Sequence, residues 1–288
     1  MRNFISEDDI EQAILQKLKG ETFGYEILRC DPSPDKRESL PDGTGRDNKK
    51  QCVLPQVLRA SLARLNPGIP AEKLEEIARE LCRDHSASDM TAANYKFYNQ
   101  IRNNIQIKLR RNGKEDFDFV KLVDYEHPEN NTFTAVSQMW IQGRVYWRRP
   151  DVLIFINGLP MVFIELKNSI VKVEEAYNDN LQNYRKDIPN LFAFNQVCVL
   201  SNGLETRLGA FNATYNHFFE WLKVDSEKER PDRKAIHSAA SVGESSVRYF
   251  IDGLLRKERL IDYIENFIMF RHRQESYRMQ DNRERLLH

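Results

Sequence analysis

Three charged residues stand where their neighbours read as core. Asp151 opens the apolar run Val152-Leu153-Ile154-Phe155-Ile156, and Glu165 and Lys167 lie near the end of Met161-Val162-Phe163-Ile164-Glu165-Leu166-Lys167. Runs this continuous belong to strands covered on both faces of a sheet. Side chains two apart on a strand project to one side, so Glu165 and Lys167 act together while Leu166 turns away. Burying a charge is costly unless it is paired or bound to a metal. Two carboxylates beside a lysine therefore make a seat for a hard divalent cation, Mg²⁺ with Mn²⁺ as substitute. Such an ion would polarise a phosphodiester oxygen, lower the pKa of a bound water and orient its attack. Lys167 would stabilise the developing charge or help position the water. The plain alternative is an ion pair at a strand end. The preceding Pro150-Asp151, the two apolar strands and the helix pattern that follows favour the chemistry.

The chemistry requires a particular strand register. A two-residue loop at Asn157-Gly158 pairs Ile156 with Leu159, brings Pro150 opposite Glu165 and turns Asp151 to the wrong face. A three-residue loop, Asn157 to Leu159, pairs Asp151 with Glu165 and suits a bulged loop class. The sequence thus predicts the three-residue loop, or a bulge with the same result.

The surrounding pattern is α/β. Ser6 can cap a helix whose stripe is Ile10, Ile14, Leu15 and Leu18, with Gly20 ending it. Tyr25 to Leu28 reads as a short strand, and the Pro-, Asp- and Gly-rich stretch from Asp31 to Asn48 as an exposed loop. Residues 53–112 are helical in pattern. Strands are expected at Phe119 to Val123, Asn131 to Ile141 and Val197 to Leu200, and helices at Val173 to Lys186 and beyond 246. The charged stretch from Arg271 to His288 reads as a frayed or cut end.

Arg149-Pro150-Asp151, thirteen intervening residues and then Glu165-Leu166-Lys167 resemble the PD-(D/E)XK nuclease motif. More closely, Arg148-Arg149-Pro150-Asp151-Val152-Leu153-Ile154-Phe155-Ile156-Asn157-Gly158-Leu159-Pro160 through Glu165-Leu166-Lys167-Asn168 is similar to the N-terminal nuclease region of the R subunit of type I restriction enzymes. The run Ala176 to Pro189 and Val199-Leu200-Ser201-Asn202-Gly203 extend the likeness. The resemblance implies a restriction-endonuclease-like core, with a central mixed sheet flanked by helices and a helical insertion over about 31–115. Residues 1–225 would form the endonuclease domain, and 226–288 a helical extension. It implies Mg²⁺-dependent cleavage of DNA, with Asp151 and Glu165 on the metal and Lys167 catalytic.

Many such nucleases add a glutamate from the first helix. Glu11 is the candidate and Glu7 the second choice, against a reading of Glu11 as a solvated helix residue. In the family a Gln-x-x-x-Tyr motif follows the lysine. Tyr184 fits it, whereas Asn180 stands at the glutamine position and Gln182 lies on another helix face. Tyr184 reads equally as a ring packed on the sheet or as a DNA or active-site contact. Arg148 and Arg149, with Arg144, are candidates for phosphate contact or for a solvated strand edge. The basic run Lys108, Arg110, Arg111 and Lys114 reads as a helix end.

Composition narrows the classes. The 43 basic residues balance 43 acidic ones, so any DNA contact must come from a local patch. Cys30, Cys52, Cys82 and Cys198 form no CxxC pair, and the six histidines show no HExxH pattern. This argues against zinc and for reduced thiols in the cytoplasm. No secretory signal or long apolar run is present, so no membrane is expected. The resemblance implies an ATP-driven motor in the full-length subunit, but no Gly-x-x-x-x-Gly-Lys-Ser/Thr loop occurs; Gly113-Lys114 is followed by Glu115. The chain is therefore expected to be the N-terminal part of a longer subunit that works with methyltransferase and specificity subunits. Rival readings are a stand-alone repair nuclease and a DNA-binding or docking module that cuts nothing alone.

Overall fold

The computed structural model describes residues 4–86, 89–111, 114–226 and 228–270. The expectation for Arg271 to His288 lies outside them. The first helix, α1 (Glu7–Lys19), is capped as its sequence dictates: the Ser6 hydroxyl accepts the Asp9 N–H, and the Asp9 carboxylate accepts the Ser6 N–H, both at 3.1 Å. Ile10, Ile14, Leu15 and Leu18 are fully buried, each contributing about 1.5–3 kcal/mol of transfer free energy.

The centre is a seven-stranded mixed sheet. Its strands are β1 (Glu26–Arg29), β4 (Phe133–Ser137), β7 (Val152–Ile156), β8 (Leu159–Leu166), β9 (Val197–Ser201), β10 (Thr206–Gly209) and β11 (Phe219–Glu220), in that spatial order. The pairs β1–β4 and β8–β9 are parallel, and the others antiparallel. Every residue of β4, β7, β8 and β9 is buried, which is why these strands read as unbroken apolar runs.

Helices cover both faces. The helical segment 173–187 and the short helix Pro189–Phe192 lie on the face of Phe163, whose ring meets Tyr184 at 5.4 Å and Phe192 at 5.7 Å. On the opposite face, Tyr25 packs on Phe133 and donates to the carbonyl of Leu255 at 2.8 Å. There the helices Ser246–Leu254 and Lys257–Asn266 join the same core as α1, through Val247, Phe250, Ile251, Leu254, Leu260 and Ile264. No helix among the described residues is long and apolar enough to cross a membrane.

Four expectations are corrected. The region expected to be helical to 112 holds α2 (Pro55–Leu65), α3 (Ala71–Leu81) and α4 (Met90–Asn103), then an antiparallel ribbon of β2 (Ile105–Arg111) and β3 (Lys114–Val120). The basic run therefore lies on a ribbon and not at a helix end. Ile105, Ile107, Leu109 and Val120 share its inner face, the period-2 signature of a strand. The strand expected at Phe119 to Val123 stops at Val120. The 31–48 stretch is largely irregular but not wholly exposed. Thr44, Arg46 and Lys49 are buried, and Asp42 accepts from Arg46 at 2.7 Å and from Lys49 at 2.6 Å. The remaining strands, β5 (Ile141–Gln142) and β6 (Trp147–Arg148), form a small hairpin leading into Pro150 and Asp151.

Candidate active site

The loop joining β7 to β8 is the two-residue Asn157-Gly158 turn, with φ of 53° and 82°, and it pairs Ile156 with Leu159. This is the primed hairpin geometry that Asn-Gly favours. Glycine is required at 158 for a second reason: a Cβ there would lie 2.7 Å from the Leu54 carbonyl. The three-residue loop is thus replaced by the alternative, a bulge. Phe155 pairs with Pro160 but Ile154 with Val162, so Met161 is the extra residue. Pro160 has no N–H to give the ladder, which makes this the natural place for the shift. From there Val152 pairs with Ile164, and one further step sets Asp151 opposite Glu165.

The row extends to the next strand. Ser137 pairs with Val152, and the N–H of Gln138 donates to the carbonyl of Asp151 at 3.0 Å. Gln138, Asp151 and Glu165 thus cross three adjacent strands side by side. The Lys167 N–H continues the β8–β9 ladder to the Ser201 carbonyl at 2.8 Å, so Lys167 keeps the strand alternation and shares the Glu165 side.

The electrostatics are those of crowded acids in a dry place. Asp151 is half-buried and accepts the N–H of Leu166 at 2.7 Å. Burial pushes its pKa up to about 6; the Leu166 bond and Lys167 oppose the shift, and Glu11 and Glu7 add to it. Glu165 is 2% exposed. Burial, then the neighbouring Asp151 charge, raise it well above the usual carboxylate range, against the pull of Lys167 and a hydrogen bond donated by the Asn180 amide. One oxygen of Glu165, Oε2, is buried without a hydrogen-bond partner.

Glu11, on α1, also comes to the site. It is 7% exposed, and burial raises its pKa against hydrogen bonds from Gln138 and Ser137. The Gln138 amide nitrogen donates to Glu11 and, at 3.4 Å, to Asp151. Glu7 is exposed.

A family model for the type I restriction enzyme R protein N terminus matches residues 4–217. The chain belongs to that family. The chain is 30% identical over 270 residues to the type I restriction enzyme HindI endonuclease subunit of Haemophilus influenzae, covering 92% of this chain and 24% of the relative. It is 28% identical over 280 residues to the putative type I restriction enzyme MjaIXP endonuclease subunit of Methanocaldococcus jannaschii, covering 90% of this chain and 25% of the relative. The chain therefore spans about a quarter of the length of these curated relatives. The matched span of the R protein family includes Glu11, Gln138, Asp151, Glu165, Lys167, Asn180 and Tyr184.

The segment after the lysine departs from a plain helix. Val173–Glu175 and Gln182–Asp187 are α-helical, but Ala176–Leu181 between them is a π-helix. Such wide turns are frequent at functional sites. Asn180 lies in it and donates its amide to Glu165. Tyr184, one turn on, is buried; its hydroxyl donates to the Arg149 carbonyl at 3.1 Å, and burial followed by the charges of Glu165 and Asp151 raises its pKa. Gln182 turns away and accepts from Arg185 at 3.5 Å. Arg148 is paired with Asp187 and stacks over Tyr184, and Arg149 donates to the Pro32 carbonyl and stacks over Trp140. Both guanidiniums thus have partners within the chain.

The donor set suits a hydrated divalent cation. No three acidic, histidine or cysteine side chains among the described residues close into a cage. Mg²⁺ needs none, because it keeps several waters and takes one or two carboxylates. The unpartnered Glu165 Oε2 beside Asp151 is an oxygen of that kind. The residue that sequence reasoning missed is Gln138. A lone glutamine at a strand end carries no motif, and only the register reveals its place in the row.

Proposed function

We propose that this chain is the DNA-cleaving part of a type I restriction R subunit. The observation that carries the reading is the pair of half-buried Asp151 and buried Glu165, held opposite one another with Lys167 on the same side and one glutamate oxygen unpartnered. Asp151 and Glu165 hold Mg²⁺, or Mn²⁺ in its place, and Glu11 assists. When bound, the ion supplies Lewis-acid polarisation of the scissile phosphate and a more acidic water. The chain's own residues do the rest. Asp151 is fixed by the Leu166 N–H, Asn180 orients Glu165, and Lys167 brings positive charge to the phosphate as negative charge develops there. Tyr184 and Arg148 brace the helix that carries Asn180. In the full-length subunit cleavage would depend on ATP and on methyltransferase and specificity subunits, in the cytoplasm.

Supercoiled plasmid incubated with Mg²⁺ or Mn²⁺ tests this, native chain beside Lys167→Ala. The native chain should nick the plasmid; the variant, or the native chain with a chelator, should not. Nicking that survives Lys167→Ala overturns the reading. So does a native chain that is inactive both alone and within its full-length assembly.

A further inference from the structure

Among the described residues, three outside glycine have positive φ: Asn104, Gln138 and Asn157. Asn157 is explained by its turn. Gln138, at φ 58°, directly follows β4, where a long side chain disfavours that backbone. Strain of this sort gathers at functional sites. Its N–H still pairs with Asp151, so the ladder is kept while the side chain leaves the strand alternation. That departure has a use. Ser137 belongs by alternation to the face of Val152 and Ile164, and it lies near enough to Glu11 to lower the pKa of that acid. Glu11 therefore approaches from the face opposite the Asp151–Glu165 row. A single amide nitrogen, that of Gln138, reaches round the strand end and holds both Glu11 and Asp151. The Gln138 Oε1 is buried with no partner, and an amide oxygen is a donor of the type that divalent cations accept.

We infer that Gln138 is a positioning residue that draws Glu11 across the end of the sheet and sets its spacing from Asp151 for a shared divalent cation. The inference rests on the reading of Asp151 and Glu165 as an ion seat. It makes Glu11 useful only through Gln138, so the two residues act as one unit.

The test is Mn²⁺ binding to the whole chain, read from the resonance of free Mn²⁺, with no DNA present. Gln138→Ala should weaken binding about tenfold, as loss of an orienting partner does. Glu11→Ala should weaken it similarly, and the double variant no further, because the effects of coupled residues do not add. Gln138→Gly guards against a folding artefact. Glycine accepts the positive φ without strain, so this variant should melt no lower than the native chain yet show the same loss of affinity. Native affinity in either Gln138 variant, or additive losses in the double variant, overturns the inference. Asp151→Ala distinguishes the two readings. If it abolishes binding, the ion seat stands whatever Gln138 does. If it binds like the native chain, the seat falls and the role of Gln138 with it.

Discussion

The Asp151 carboxylate accepts the N–H of Leu166 at 2.7 Å, so it is tied to the backbone immediately beyond Glu165, the acid it faces. Two acids that repel one another are thereby kept together by a main-chain N–H that Asp151 accepts and that leaves the Glu165 carboxylate free of the bond. The arrangement depends on the bulge at Met161 and on a proline that gives the ladder no N–H.

Tyr184 contributes to this site as packing. Its ring meets Phe163 edge-on, and its hydroxyl is spent on the Arg149 carbonyl. Tyr184→Phe should cost about 1 kcal/mol, the net worth of one hydrogen bond, and leave cleavage within a few-fold of native. Tyr184→Ala should cost about 3–5 kcal/mol, as for other buried aromatics. Chemical denaturation and plasmid nicking measure both. Loss of cleavage in a stable Tyr184→Phe protein would instead make the hydroxyl part of the chemistry.

Acid should loosen the Asp42 network. Burial alone would raise the pKa of Asp42, but Arg46, Lys49 and Thr44 outweigh it and hold the carboxyl well below its ordinary 3.8. A depressed folded pKa means the stabilisation is fully present above the unfolded value and fades as pH falls below it. Asp42→Asn should cost about 3 kcal/mol near neutrality, because it leaves buried cations short of their partner. The gap between native and variant melting temperatures should narrow as pH drops below about 4. A gap that stays constant would show that the pair contributes no charge-dependent stability.

Residues beyond the boundary expected near 225 pack into the same core as α1. Val247, Phe250, Ile251 and Leu254 are buried in the core shared with α1, and Lys17 pairs with Asp252 at 2.6 Å. Exposing four such side chains costs about 1.5–3 kcal/mol each, comparable with the whole stability of a domain, about 5–15 kcal/mol. A fragment ending at 225 should lose its cooperative melting transition and aggregate. A sharp native-like transition would contradict the shared core.

Much of this was legible in the sequence, for identifiable reasons. Asp151, Glu165 and Lys167 stood out because charges inside unbroken apolar strands have few benign explanations, and period-2 geometry put two of them on one side. Register arithmetic foresaw the facing acids but preferred a longer loop; Pro160, which must disturb the ladder, was the clue to the bulge. The β2–β3 ribbon was obscured by its basic residues, although Ile105, Ile107 and Leu109 alternate as a strand should. The buried Asp42–Arg46–Lys49 cluster lay hidden in a segment whose prolines and glycines read as exposed loop. Gln138 depends on partners on other elements, which local pattern does not encode, whereas Asn180 was placed by the spacing to Tyr184 but not its bond to Glu165.

The most direct test of the account is the plasmid-nicking rate of Glu165→Gln in Mg²⁺. Glutamine has nearly the volume of glutamate and keeps an oxygen for the Asn180 amide, so it removes the charge and little else. Relief of the buried repulsion should raise stability by about 1 kcal/mol, the usual signature of a residue kept for function. A folded, slightly stabilised protein with no detectable nicking is expected. A folded Glu165→Gln variant that nicks at the native rate would contradict it.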